Sequence, residues 1–273
     1  MPEKTFVLGV GAQKAGTTWL HRYLSSYDCV KTGFSKEYHI WDAIHTPECR
    51  RFRVSAARAL ISRKAWARRR MQLAAEHYFA YFDRLLRDPK TTVTADITPS
   101  YASLSSSVFG EIVEGFAERD IRVKVVFLMR DPVERCWSAV RMHRKKGRAL
   151  ENVLIDVDEG RALLEYCKSS DALLRTQYDD TVREIEKAVP RADVFYGFFE
   201  DLFEPASIDE LSSFLGLQPK HDFARRTFNA TEKKISIERN VLRSVANQYA
   251  SVYEFCENRF PRTKDLWLGF QLI

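Results

Sequence analysis

Gly11, Lys14, Gly16, Thr17 and Thr18 share one stretch, "GVGAQKAGTTWL" (9–20), and their types suit an anion. Gly11 and Gly16 have the spacing of the phosphate-binding pattern G-x-x-x-x-G-K-[ST], and Thr18 fills its final hydroxyl position. The lysine slot holds Thr17 instead, and the cation stands three residues earlier, at Lys14. Backbone N–H groups of a glycine-rich turn, with those that open the following helix, make a cradle for phosphate oxygens. A cradle without the terminal-phosphate lysine suits a donor with one phosphate inside the loop and a less charged group beyond it. Lys14 would then project towards the bond being broken.

Two further stretches carry candidate chemistry. In "VVFLMRDPVERCWSAVRMHRKKG" (125–147), Arg130 stands at a strand end and Ser138 eight residues later on the following helix. An arginine there can grip a phosphate bidentately, and the serine can add one hydrogen bond. Arg-Asp-Pro is also a common structural turn, so its weight comes from lying in the same sheet as the first loop. In "GFSKEYHIWD" (33–42), Lys36, Glu37, His39 and Asp42 fall within seven residues. Glu37 and His39 share a face if the chain is extended, and either can serve as a general base; a salt bridge or a packed side chain is the ordinary alternative.

The elements that must position these groups follow from patterning. "TFVLGV" (5–10), "TTVTAD" (91–96), "VKVVFLM" (123–129) and "ADVFYGF" (192–198) read as buried strands, with a short strand near Val30 to Gly33. Helical patterns fill the intervals, most clearly at 159–189, 206–215 and 238–259, and Asp131-Pro132 starts another. Strands alternating with helices predict a parallel α/β sheet. The chain shows no repeat or linker and reads as one domain over 1–273, with a helical insertion at about 47–88. Within it, residues 49–75 hold nine basic residues (Arg50, Arg51, Arg53, Arg58, Arg63, Lys64, Arg68, Arg69, Arg70) and no acid. That stretch is either a solvated face or a surface for an anionic acceptor or partner. Residues 76–87 carry a stripe of Tyr78, Phe79, Phe82, Leu85 and Leu86 that predicts core.

Composition sets the outer bounds. The 273 residues carry 43 basic and 37 acidic side chains, a net charge of +6, which implies only mild affinity for anions. Five scattered cysteines without a C-x-x-C pair argue against a disulfide framework or zinc site and for a reducing compartment. No apolar run is long enough to cross a membrane, and a strand begins after four residues, so a cytoplasmic location is expected.

Taken together, the three stretches resemble the PAPS-dependent sulfotransferase family, closest to its carbohydrate (heparan sulfate-type) and bacterial branch. PAPS is adenosine carrying a 3′-phosphate and a 5′-phosphosulfate. The family's first loop reads roughly G-x-x-K-x-G-T-[TS], as "GAQKAGTTW" does. The resemblance implies that Lys14, Ala15, Gly16, Thr17, Thr18 and Trp19 bind the 5′-phosphosulfate, with Lys14 supporting the leaving phosphate. "RDPVERCWS" is similar to the family's R-D-P-x-x-R-x-x-S, which implies that Arg130 and Ser138 hold the 3′-phosphate. "EYHIWD" is similar to E-x-H-F-F-D, which implies Glu37 as catalytic base with His39 as its catalytic neighbour. Weaker likenesses lie in "ADITPSYAS" (95–103), "FFEDLFEPASIDELSSFLGL" (198–217) and residues 228–255, the last implying Lys233 and Lys234 near the 3′-phosphate.

The resemblance also implies a P-loop-type three-layer fold, a five-stranded parallel sheet of order 2-3-1-4-5, PAPS as donor, and no metal. It implies a hydroxyl or amino acceptor, a glycan or other small molecule, and the basic insertion favours an anionic one. No nucleic-acid partner is expected. Two departures stand out. Ile97 follows Asp96 where the family often has lysine, so that help is absent or comes from elsewhere, with Lys36 the candidate. There is also no room between Asn229 and Lys233 for the cysteine-bearing hairpin of heparan-type enzymes. Trp41, Tyr38, Trp66 and Tyr101 could offer flat surfaces to an acceptor ring, although such aromatics more often pack in the core. Two rival readings remain: an inactive PAPS- or nucleotide-binding module, and a nucleotide kinase with an atypical loop.

Overall fold

The computed structural model describes residues 3–147, 153–224 and 236–273. Five strands form one parallel sheet: β1 (Lys4–Gly11), β2 (Val30–Lys31), β3 (Val93–Ile97), β4 (Ile121–Met129) and β5 (Val194–Phe198), in the order β2-β3-β1-β4-β5. This is the expected order. β1 pairs with β3 from Thr5↔Val93 to Gly9↔Ile97, and with β4 on its other side. A central strand covered on both faces must be apolar along its whole length, and β1 is buried from Thr5 to Gly11.

The helices, in chain order, begin with α1 (Thr17–Leu24), α2 (Trp41–His45), α3 (Ala56–Ile61), α4 (Arg63–Leu73), α5 (Glu76–Leu86), α6 (Ser106–Ala117) and α7 (Pro132–Lys145). They continue with α8 (Glu159–Tyr166), α9 (Ser170–Leu173), α10 (Tyr178–Ala188), α11 (Pro205–Leu215), α12 (His221–Ala224), α13 (Arg239–Gln248), α14 (Ala250–Arg259) and α15 (Thr263–Leu266). Pro132 opens α7, and Asp131 caps it by accepting from the amides of Val133 (2.9 Å) and Glu134 (3.4 Å).

The aromatic stripe of α5 belongs to the core. Tyr78, Phe79, Phe82 and Leu86 are buried, and Leu85 packs against them. Phe82 and Tyr78 meet Phe6 of β1 edge-on, while Phe116 of α6 stacks on the same ring at 4.0 Å. The apolar face of α5 is thus fixed to the sheet.

Two long helical expectations resolve into shorter pieces. The pattern at 159–189 gives α8, α9 and α10, because Ser169 turns its hydroxyl to the amide of Ala172 and restarts the chain there. The pattern at 238–259 breaks at Tyr249, whose backbone leaves the helical region and whose hydroxyl donates to the Cys167 carbonyl at 2.6 Å. Tyr38, Trp41 and Tyr101 are buried core residues, not acceptor platforms; only Trp66 of the four is open, at 50% exposure.

Candidate active site

The sheet order brings the carboxyl ends of β1, β3 and β4 side by side, which is where ligands collect in such sheets. The loop after β1 turns sharply. The amide of Ala12 donates to Leu128 of β4 at 2.5 Å, and Lys14 takes a left-handed backbone (φ 70°) at the crest. Gly16 then opens α1 at φ 93°, where a Cβ would also lie 2.7 Å from Leu202. Gly16 supplies no side-chain cap, so the opening amides of α1 are left for a ligand. Ala15, Thr17 and Trp19 are buried, and Thr18 is half-buried.

Lys14 is a perturbed cation. Burial first, then the charges of Arg130, Arg141, Lys146 and Lys36, bring its ammonium down to about 8. Burial and neighbouring positive charge thus both disfavour the ammonium at the crest of this loop, and a bound anion would favour it.

Arg130 joins this loop directly. Its Nη1 donates to the Lys14 carbonyl at 3.2 Å, its Nη2 to Glu134 at 3.2 Å, and its guanidinium lies 4.2 Å over the Phe199 ring. Its Nε is buried without a partner. The strand end is clamped from four directions. Tyr178 donates to the Arg130 carbonyl (2.8 Å) and Glu200 accepts from the Asp131 amide (3.0 Å). Tyr253 and the Gly269 amide donate to the Asp131 carboxylate at 2.8 and 2.6 Å. Burial lifts the Glu200 carboxyl to about 7.

Ser138 lies eight residues on, 6% exposed, on α7. Arg141 follows one turn later on the same helix face and was not anticipated. It is 7% exposed, its guanidinium sits 4.7 Å over Trp137, and its Nε and Nη1 are buried without partners. An arginine one turn beyond the serine of the R-x-x-x-x-x-x-x-S pattern was the available signal.

The third stretch closes the site. Glu37 accepts from Lys36 Nζ at 2.6 Å and lies 3.4 Å from His39 Nε2. His39 Nδ1 is 2.7 Å from the fully buried Asp42 carboxylate. Burial works against both charges. It tends to raise Glu37, but the His39 hydrogen bond and the Lys36 charge overcome it and hold the carboxyl at about 2. It tends to lower His39, but Asp42 and Glu37 overcome it and raise the imidazole to about 9. His39 is thus an imidazolium between two carboxylates at neutral pH, and Glu37 is an ionised carboxylate whose side chain is 37% exposed.

This segment hangs from a buried hub. Asp96 accepts from Thr98 (2.6 Å), Tyr101 (2.9 Å) and Tyr78 (3.0 Å); burial raises its carboxyl to about 6. Thr98 in turn accepts from the Tyr38 amide, and Tyr101 from the Ile40 amide. Asp96 is therefore a support for the Glu37 loop. The basic insertion supplies a second support. Gln72 of α4 donates to the His39 carbonyl (2.7 Å) and the Phe52 carbonyl (3.1 Å), and accepts from the Val54 amide (2.9 Å). Arg68 donates to the Glu37 carbonyl at 2.9 Å, and Phe52 stacks on the His39 ring at 3.7 Å.

The structure thus brings Lys14, Arg130, Glu37 and His39 to one sheet edge. Lys233 and Lys234 lie outside the described residues. Among the described residues, no three His, Cys, Asp or Glu side chains gather in a way that could hold a metal ion. No helix among them is long and apolar enough to cross a membrane.

Comparison with known proteins follows the same lines. A sulfotransferase-domain family model matches residues 4–241. No curated protein matches in sequence. Among solved structures, a sulfotransferase from Alicyclobacillus acidocaldarius shares the fold at 17% identity, covering 94% of this chain and 95% of its own, with a TM-score of 0.58. A sulfotransferase domain from the curacin biosynthetic pathway aligns at 13% identity over 93% of this chain and 98% of its own, with a TM-score of 0.49. With the family model spanning nearly its whole length, the chain belongs to the sulfotransferase domain family.

Proposed function

We propose that the chain, acting as one domain, moves a sulfonate group from PAPS to a hydroxyl or amino group of a carbohydrate or other small acceptor. The observation that carries this reading is the hydrogen bond from Arg130 to the Lys14 carbonyl, which sets a phosphate-binding guanidinium beside a lysine-crested amide cradle. The residues fit such a donor: the N-terminus of α1 has no side-chain cap, and Arg130 and Arg141 keep buried N–H groups unpartnered. The five free cysteines support a reducing, cytoplasmic setting.

When bound, the donor supplies a sulfonate on a phosphate leaving group. The amides from Gly16 to Trp19 hold the 5′-phosphate, with the Thr17 and Thr18 hydroxyls beside them. Arg130 and Ser138 take the 3′-phosphate, and Arg141 adds a second guanidinium on the same helix. Lys14 stabilises the negative charge that grows on the bridging oxygen as its bond to sulfur breaks. Glu37 receives the acceptor proton while the acceptor atom bonds to sulfur from the opposite side. A carboxylate held near 2 takes that proton late, once the new bond has made it strongly acidic. His39 and Asp42 keep Glu37 oriented, and Lys36, paired with Glu37 at 2.6 Å, is the candidate for the help that the family's strand lysine gives.

Transfer of radiolabelled sulfonate from PAPS across panels of sugars, phenols, lipids and peptides tests the reading. Labelled product with at least one acceptor class, lost in Glu37→Ala, is the expected result. Tight nucleotide binding with no transfer to any class would favour the inactive binding module.

A further inference from the structure

The corner between α3 and α4 exposes apolar side chains that the fold does not use. Leu60 and Ile61, at the end of α3, are 87% and 85% exposed. Ser62 ends that helix and caps α4, accepting from the Ala65 amide, so the corner is a defined turn. Trp66, in the first turn of α4, is half exposed with Arg70 4.7 Å over its ring. Of the seven large apolar side chains left exposed among the described residues, four lie between Leu60 and Leu73. Arg58, Arg63 and Lys64 flank the corner and are exposed, and residues 49–75 contain no acid to neutralise them.

The opposite side of this hairpin is tied down. Gln72 and Arg68 bind the Glu37–His39 backbone, and Arg69 donates to the Val54 carbonyl at 2.7 Å. A rigid mount therefore presents an apolar tip inside a cationic rim. A polyanion such as a sulfated glycan or RNA satisfies the rim but gives Leu60 and Ile61 nothing to bury against. An apolar protein groove satisfies the tip but leaves the acid-free rim unmatched. An anionic bilayer matches both, with headgroups for the guanidinium and ammonium groups and the acyl boundary for the leucine, isoleucine and indole. We propose that the α3–α4 corner docks the protein peripherally on an anionic lipid surface. The docking is independent of the sulfonate-transfer reading.

Sedimentation of the whole chain with phosphatidylcholine vesicles, with and without roughly a third phosphatidylglycerol, tests this. Each basic residue near an anionic leaflet multiplies partitioning about five-fold, so binding should require the anionic lipid and fall steeply with salt. Leu60→Ser with Ile61→Ser should reduce it about ten-fold or more, and Arg63→Gln with Lys64→Gln should reduce it and flatten the salt dependence. Both pairs are exposed, so melting temperature and bisphosphate-nucleotide affinity should not move. Absence of binding to anionic vesicles at low salt would overturn the proposal. So would equal binding by the serine pair, which would leave only a polyanion surface. Self-association that the serine pair abolishes, without vesicle binding, would overturn it too.

Discussion

Arg130 donates through Nη1 to the main-chain oxygen of Lys14 at 3.2 Å, joining two motifs that lie 116 residues apart in the chain. The bond makes the crest of the loop and the end of β4 one unit. A ligand that grips the guanidinium also fixes the backbone from which the lysine projects. Charge on either group then bears on the other, which is why Arg130 is the first charge to depress Lys14 after burial itself.

Lys14 sets a pH limit. Lowered to about 8, it is charged below that pH and neutral above it. In the free enzyme, kcat/KM for the donor should fall above about pH 8. Donor anions favour the charged form, so the corresponding limb in kcat should appear at higher pH. Lys14→Met should cut turnover about 10²–10³-fold and abolish that limb. A limb that persists in the variant assigns it to another group.

Glu37 and His39 should separate in their effects. Glu37→Ala should lower kcat about 10²-fold or more with donor affinity nearly unchanged. Because the folded His39 is raised to about 9, the stability it contributes is complete below its ordinary value near 6.5 and is lost as pH rises through 9. His39→Gln should therefore show a smaller drop in melting temperature at pH 9.5 than at pH 6. An equal drop at both would show that the imidazolium pairing adds no stability.

Arg141 is a buried cation with two unpartnered nitrogens. Arg141→Gln should weaken adenosine 3′,5′-bisphosphate about ten-fold, the size of one charge-assisted hydrogen bond. The melting temperature of the ligand-free protein should hold or rise, since an unpaired buried charge is removed. A lower melting temperature with unchanged affinity would make the residue structural.

Gln72 joins the basic insertion to the candidate base. Gln72→Leu leaves the His39 and Phe52 carbonyls and the Val54 amide without this partner, at about 1–3 kcal/mol each where buried. It should lower kcat and raise the acceptor KM while the affinity for adenosine 3′,5′-bisphosphate stays the same. Steady-state kinetics with calorimetry separates these effects.

The strands and the three motif stretches were legible because each is local, whereas the strand order followed only from the family resemblance. β1 runs apolar from Phe6 to Val10 before Gly11, β4 from Val125 to Met129 before Arg130, and Asp131-Pro132 marks its own helix start. The supports of the site were not legible. Tyr253 reaches Asp131 across 122 residues, Tyr178 reaches Arg130 across 48, and Gln72 reaches His39 across 33. Hydrophobic periodicity reports which face of an element is buried, not which distant polar atom it meets. The same limit explains Tyr38, Trp41 and Tyr101, whose rings pack in the core, and the long helices that Ser169 and Tyr249 interrupt.

The most direct test of the account is calorimetric titration of adenosine 3′,5′-bisphosphate against adenosine 5′-monophosphate and ATP–magnesium, in the wild-type chain and in Arg130→Ala. If the cradle and Arg130 together read a nucleotide with phosphates at both ends, the bisphosphate should bind about 10²-fold more tightly than the other two. That preference should collapse in the variant. Equal affinity for all three, or a preference for ATP–magnesium that survives the loss of Arg130, would contradict it.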